Sequence, residues 1–322
     1  MHSARVHPLL VCAASEQLGL FTARQALAAG YSYGEITAAV RGGRWTRVRR
    51  SIFIAKERLE LADARERHLQ IVYADCLSLA ALPAAVSHQS AALALGLPML
   101  DAIEELTPAV TVPPGSHSAT ACSHVYRATL AAWQVWHRAP FLLTSPARTI
   151  VDLARSRSFS SAVVSADAAL REEMTTAEQL ERILGFCDGW PGAGRATRVL
   201  QFADGRSESV YESLARVRCA EHGLPAPQLQ AALQGADGHT YWVDLYWPEA
   251  RTIGEVDGRI KYQRRPGNDP ERVLWDEKLR EDTLREAGYQ MVRMTAAQIE
   301  HNFGSVVARL HGAFARGRRS AA

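Results

Sequence analysis

From Thr240 to Trp247 the chain reads TYWVDLYW, dense in aromatic and β-branched residues, and from Arg251 to Asp257 it reads RTIGEVD, alternating by parity. Ile253, Glu255 and Asp257 fall on one face of an extended chain, and Thr252, Gly254 and Val256 on the other. Both runs predict β-strands, joined by a tight connection at Pro248-Glu249-Ala250. With Glu249 and Ala250 as the turn residues, antiparallel pairing sets Asp244 opposite Glu255, with Cβ atoms about 4.5–5.5 Å apart. Two carboxylates that close, with Asp257 nearby, call for a counter-charge, a shifted pKa or a metal. A hard divalent cation, which takes oxygen ligands, is the simplest candidate. The same spacing also suits acids lining an exposed sheet edge.

The helical periodicities lie on either side. Thr22 is a cap for a helix from Ala23 to Ala29, stopped by Gly30. Ser32 and Glu35 make a capping box for a second short helix carrying Ile36 and Val40. Gly42-Gly43 ends it, and the runs Arg44–Arg50 and Ser51–Ala55 read as a hairpin. The expectation is a winged helix-turn-helix over residues 1–56. A mixed α/β middle segment covers 57–200, with helices at 57–82, His88–Leu95, 145–154 and 162–171 and a strand at Ala109–Val112. Trp190–Gly194 reads as a linker. The last domain, 201–322, opens with a helix over 208–222 capped by Ser207. A further helix begins at Asp269-Pro270, a strand covers Met291–Met294, and the tail with Arg316, Arg318 and Arg319 reads as disordered. The fold class is α/β of the α+β kind.

Charge sharpens the picture in two places. Residues 41–50 hold five arginines and no acid. Arg41, Arg44, Arg47, Arg49 and Arg50 suit phosphate contacts, with Tyr33 and Thr37 reaching base edges if the second helix enters a major groove. A purely structural basic hairpin is the competing reading. The chain has three lysines among 37 basic residues, and two of them, Lys261 and Lys278, lie in the acid-rich stretch. Lysine acts as a compact point charge with an adjustable pKa, although Lys278 also suits a surface pair with Glu281 or Asp282. Between them Arg264 and Arg265 sit in a turn-forming loop that could grip a phosphate backbone.

The bulk composition excludes more than it assigns. Net charge +3 and pI about 8.6 are only mildly basic. Five cysteines without a CxxC pair argue for a reducing compartment and against zinc. No signal-peptide core and no apolar run of about 18 residues is present, so a cytoplasmic protein without a membrane partner is expected. His88, His117, His124 and His137 are too dispersed for a metal motif. Ser145 and Asp152 lack the nucleophile-elbow context of a hydrolase.

Two resemblances add to this. Asp244, the ten-residue gap, Glu255-Val256-Asp257-Gly258 and Lys261-Tyr262 resemble the DUF559 and very-short-patch-repair branch of the PD-(D/E)xK nucleases. Glu277-Lys278, Arg280-Glu281-Asp282, Gly288 and Met291–Met294 fit the same pattern. This resemblance covers roughly 207–303. It implies a restriction-endonuclease-like α/β sandwich that cuts DNA with Mg²⁺ or Mn²⁺, held by Asp244 and Glu255 with a backbone carbonyl near Val256. Asp257 and Glu212 are then further acids of the catalytic site, with Lys261 or Lys278 supplying the positive charge. The family's lysine would fall at position 257, which is Asp here. Glu212 can join the site only if the Ala215 and Cys219 face of its helix packs on the sheet. The phrases FTARQALAAG and GRWTRVRRSIF resemble the winged helix of AbiEi-type antitoxins and transcriptional regulators, and TSPARTIVDLARS and VSADAALRE extend that resemblance into the middle segment. DNA is the implied partner, and a cognate toxin the further one.

Overall fold

The computed structural model describes residues 7–79, 82–116, 123–257 and 270–320. The chain divides into two compact units, Met1–Ser165 with Met174–Gln201, and Ala166–Glu173 with Phe202–Ala322. In the first, α1 (Pro8–Ser15), β1 (Leu20–Thr22), α2 (Ala23–Ala28), α3 (Tyr33–Arg41), β2 (Trp45–Arg49) and β3 (Ile52–Ala55) form a winged helix. Its antiparallel sheet has the order β1-β3-β2. Thr22 and Ser32 each accept the backbone N–H three residues on, and Gln25 and Glu35 bond back, an arrangement worth about 1 kcal/mol per cap. Strand alternation gives this sheet two buried faces. Phe21, Trp45 and Phe53 pack with Ala26, Ile36 and Ala39 of the helices. Leu20, Ile52 and Ile54 pack with Ala74.

The sequence predicts one helix over 57–82. Two form, α4 (Lys56–Leu61) and α5 (Ala64–Ser78), because Asp63 caps the second by accepting the Glu66 N–H at 2.7 Å. The mixed sheet that follows is built from β4 (Ala85–Val86), β5 (Ala109–Val112), β6 (His124–Arg127), β7 (Val135–Arg138) and β8 (Phe141–Thr144), in the order β6-β5-β4-β8-β7. Its helices are α6 (His88–Leu95), α7 (Pro146–Ser156), α8 (Phe159–Arg171), α9 (Ala177–Phe186) and α10 (Ala193–Phe202). Ser145 caps α7, and Asp152 is held between Arg148 at 2.7 Å and Arg155 at 3.0 Å, which ends any reading of the two as a hydrolase pair. The expected linker Trp190–Gly194 is packed instead. Both guanidiniums lie 4.9 Å from the Trp190 ring, and a Cβ on Gly192 would meet the Arg155 carbonyl at 2.5 Å.

In the second unit α11 (Val210–Glu221) precedes β9 (Gln228–Gln234), β10 (Thr240–Trp247) and β11 (Thr252–Asp257), then α12 (Pro270–Glu286), β12 (Gln290–Thr295), α13 (Ala296–His301) and α14 (Phe303–Ser320). The sheet order is β12-β11-β10-β9, antiparallel except for β12 beside β11. The helix cap is Ser209, not Ser207. Ser209 Oγ accepts the Glu212 N–H, whereas Ser207 is buried and accepts from Arg216. The larger core joins Ala215 and Cys219 of α11, Leu245 and Val256 of the sheet, and Val306, Leu310 and Phe314 of α14. Leu284 of α12 forms a smaller one with Leu233, Val243, Tyr246 and Ile253. The tail that reads as disordered is therefore the end of an 18-residue core helix. Its apolar stripe recurs at helical spacing, and Gly317 lies where a Cβ would collide with the Ala250 carbonyl.

Candidate nucleic-acid interface and carboxylate pocket

On the winged helix, Tyr33, Thr37 and Arg41 follow one another at four-residue spacing along α3 and are all exposed. The Thr37 hydroxyl donates back to the Tyr33 carbonyl at 2.9 Å. Arg44, Arg47 and Arg50 are exposed as well. Arg49 is turned the other way. Its Nη2 donates to Asp75 Oδ2 at 3.0 Å and its Nε to Asp75 Oδ1, with the acid side chain 1% exposed. A register shift in β2 between Arg47 and Arg49 breaks the alternation that would keep the two on one face. The sequence predicts five arginines open to a polyanion, and four of them are exposed.

The second site begins with strand register. Leu245 pairs with Gly254, Tyr246 with Ile253 and Trp247 with Thr252, the ladder on which position 244 falls opposite 255. Gly254 packs closely there, since a Cβ would stand 2.7 Å from Met294 Cε and 3.0 Å from the Trp247 ring. Asp244 Oδ2 accepts the Val256 N–H at 2.8 Å, so the strand backbone fixes that carboxylate. On β9, Leu229 packs in the larger core and Ala231 against the smaller one. On β10, Leu245 and Val243 divide the same way. Alternation thus breaks at Gln230 and Asp244, and Gln230 takes a left-handed φ of 47°. Both strands change face there, and a cavity of about 590 Å³ opens, lined by Glu208, Gln230, Trp242, Asp244, Glu255 and Arg280.

Glu212 stands at its edge. The small-residue face of α11 packs on the sheet, as Ala215 and Cys219 in the larger core show, and this buries Glu212 to 6% exposure. Its carboxylate accepts from the Glu208 N–H at 2.8 Å and from Gln230 Nε2 at 3.1 Å. Burial raises its pKa above the ordinary glutamate value, opposed by the Glu208 N–H and assisted by the nearby Asp244 charge. Glu255, 4% exposed, meets Arg280 of α12, whose Nη2 lies 2.9 Å from Oε1 and 2.6 Å from the Trp242 carbonyl.

Asp257 is directed elsewhere. It pairs with Arg293 of β12 at 3.7 Å, and the same guanidinium meets Glu277 and Glu281. Asp257 does not line the cavity, and neither does Lys278, which is exposed on α12. Lys261, Arg264 and Arg265 lie outside the described residues. Sequence spacing assigns no role to Arg280 or Gln230. Gln230 sits on a strand, QLQAALQ, without a single β-branched residue, and nothing local marks Arg280 among its charged neighbours on α12.

Asp244 and Glu255 are oxygen donors of the type that hard divalent cations take. Among the described residues no three His, Cys, Asp or Glu side chains converge closely enough to hold a metal. Among the described residues, the positive charge lining the pocket is that of Arg280. Among the described residues no helix is long and apolar enough to cross a membrane.

Comparison with a family model bears on the N-terminal helices and wing. Residues 10–55 match the family described as "Transcriptional regulator, AbiEi antitoxin". That span is the winged helix. Over 169 residues the chain is 33% identical to an uncharacterized protein of Mycobacterium tuberculosis strain CDC 1551 / Oshkosh, covering 52% of this chain and 60% of the relative. An uncharacterized protein of strain ATCC 25618 / H37Rv matches at the same 33% over 169 residues. The chain thus spans under two thirds of these relatives' length.

Proposed function

We propose that this is a DNA-binding protein whose winged helix docks on duplex DNA and whose C-terminal pocket acts on the DNA backbone as a metal-dependent endonuclease. The docking half is supported by the regulator-family match over 10–55 and by four arginines exposed on and beside α3 and the wing. Arg44, Arg47 and Arg50 bind phosphates, and Tyr33, Thr37 and Arg41 face the groove. Arg264 and Arg265 are further candidates for the backbone near the pocket. The observation that carries the nuclease half is the position of Asp244 and Glu255 across the β10–β11 ladder at the mouth of a polar cavity. A restriction-endonuclease-like arrangement of the second unit belongs to this reading.

In this mechanism Asp244 and Glu255 would hold Mg²⁺ or Mn²⁺, with Val256 fixing the Asp244 rotamer through its N–H. When bound, the cation supplies a water of lowered pKa and neutralises charge on the leaving oxygen. Glu212, its pKa raised by burial, stands beside the pocket, held by the Glu208 N–H and Gln230 Nε2. Lys261 orients that water or neutralises the phosphate, a role that Lys278, outside the cavity, does not share. Asp257, paired with Arg293, shapes the strand end.

A second reading is an AbiEi-like regulator or antitoxin, with a toxin partner and a cytoplasmic site of action, whose pocket binds without turnover. Asp257 in place of a lysine and the Arg280–Glu255 ion pair favour it. Cleavage of supercoiled plasmid and of short single- and double-stranded DNA with Mg²⁺, Mn²⁺ or EDTA separates the two. The nuclease predicts metal-dependent nicking that Asp244→Ala abolishes while DNA binding survives. Absence of cutting on every substrate, with salt-dependent binding retained, would establish the regulator.

A further inference from the structure

Among the described residues the cavity is lined by three carboxylates, Glu208, Asp244 and Glu255, and by one cation, Arg280. That guanidinium is anchored. It bridges the Glu255 carboxylate and the Trp242 carbonyl, and its side chain keeps 27% exposure toward the cavity while Glu255 keeps 5%. The charged form of a carboxylate this buried is stabilised by a positive partner. The strand position where a lysine would serve carries Asp257, and Arg293 is engaged by Asp257, Glu277 and Glu281. Among the described residues, the cation on Glu255 thus comes from α12. A divalent cation approaching Glu255 Oε1 meets a guanidinium already on that oxygen, and the two positive groups compete for it.

Arginine differs from lysine in what can draw it away. Its planar fork binds a phosphate diester in bidentate fashion, with shorter and stronger charge-assisted bonds than neutral partners give. A DNA backbone entering the cavity offers Arg280 two phosphate oxygens at the edge where it is exposed.

We propose that Arg280 couples phosphate binding to cation binding. Unliganded, it neutralises Glu255 and disfavours the cation. A backbone phosphate takes over the guanidinium, Glu255 Oε1 is released, and the cation binds as the replacement partner. Linkage makes the effect reciprocal: each ligand raises the affinity for the other. This rests on the nuclease-like reading of the pocket as a phosphate and cation site, but not on turnover.

The test uses the full chain and Mn²⁺ as the probe, followed by paramagnetic resonance of the free ion. Titrations run with and without a short single-stranded oligonucleotide carrying non-hydrolysable linkages. Wild type should bind Mn²⁺ about five- to a hundredfold more tightly with the oligonucleotide, the usual range for coupled sites. Arg280→Gln, which keeps a hydrogen-bond donor for Trp242 and Glu255, should bind Mn²⁺ more tightly than wild type without DNA and gain little on adding it. Arg280→Lys should restore part of the coupling. Thermal melting checks that the variants fold, and Asp244→Ala supplies the baseline of non-specific binding. Equal Mn²⁺ affinity of wild type and Arg280→Gln under both conditions overturns the coupling, as does Mn²⁺ binding no better than Asp244→Ala in every variant. Plasmid cleavage that persists without any coupling sinks the latch and leaves the nuclease standing. Coupling present without cleavage on any substrate does the reverse.

Discussion

Arginine meets carboxylate in two different settings here. In the first unit Arg148 and Asp152, with side chains 1% and 0% exposed, form a pair that Arg155 completes and Trp190 covers. In the second, Arg280 and Glu255 are at 27% and 5%, and the guanidinium borders a cavity of about 590 Å³. The ionic chemistry is the same, but access is not. A sealed pair has no alternative partner and can serve only the fold. A pair with one open side can exchange its partner for a ligand, and that exchange is what a site does.

The largest effect should come from breaking the sealed pair. Asp152→Ala strands two guanidiniums, one of them fully buried, and is expected to cost about 3–5 kcal/mol. Glu255→Gln leaves Arg280 a route to solvent and should cost about 1.5–3 kcal/mol, the scale of one charged hydrogen bond. Urea unfolding of the two variants checks the ratio. Equal losses would mean that burial does not separate the two pairs.

Acid should act on the first unit next. His68 and His88 are 5% and 3% exposed, and burial holds the pKa of each down at about 4, against an ordinary 6.5. For His88 the Asp152 charge pulls upward, and Arg148, Arg155 and His124 push down. A depressed histidine is neutral in the fold, so between pH 6.5 and 4 the unfolded chain binds protons that the folded chain refuses. Stability should therefore fall as pH drops through that window and level off, for these two groups, below it. Thermal melts from pH 8 to 4 read this slope, and His68→Gln should make it shallower. A flat profile would show that the buried imidazoles take up protons in place.

How much of this is legible in the chain depends on where the determining interactions lie. The capping boxes at Thr22 and Ser32, the helix at His88 closed by Gly96 in the left-handed region, and the facing of Asp244 and Glu255 all rest on local spacing. They are readable because the period of a strand or a helix fixes neighbours. The strands β6 and β7 are four residues each with mostly half-exposed or exposed positions, too short for any period to register. Non-local partners are invisible as well. Nothing near Glu255 marks a residue 25 positions on as its counter-ion. Nothing near His88 and His124 marks Tyr126 as the ring that His88 stacks on at 3.5 Å and His124 meets at a tilt at 4.3 Å. The tail misleads because its three arginines outweigh, by composition, the apolar stripe that buries Leu310 and Phe314.

The contrast between sealed and open pairs recurs on the wing, where it is smallest and cleanest. Arg49 is engaged by a buried Asp75, and Arg47, two residues away, is exposed with the Phe53 ring 5.8 Å from its guanidinium. Sequence spacing treats them alike, but the register shift in β2 does not. Removing Arg44, Arg47 and Arg50 together should lower DNA affinity. It should also reduce the salt dependence of binding by about 0.9 in the log–log slope for each phosphate no longer neutralised. Arg49→Ala should instead lower the melting temperature, because Asp75 is left buried without its cation, and should leave the salt slope unchanged. Fluorescence anisotropy with a duplex at several salt concentrations, paired with thermal melting, reads both quantities. If Arg49→Ala flattened the slope like its neighbours, its guanidinium would have to leave Asp75 when DNA arrives, and the wing would share the exchangeable character assigned to Arg280.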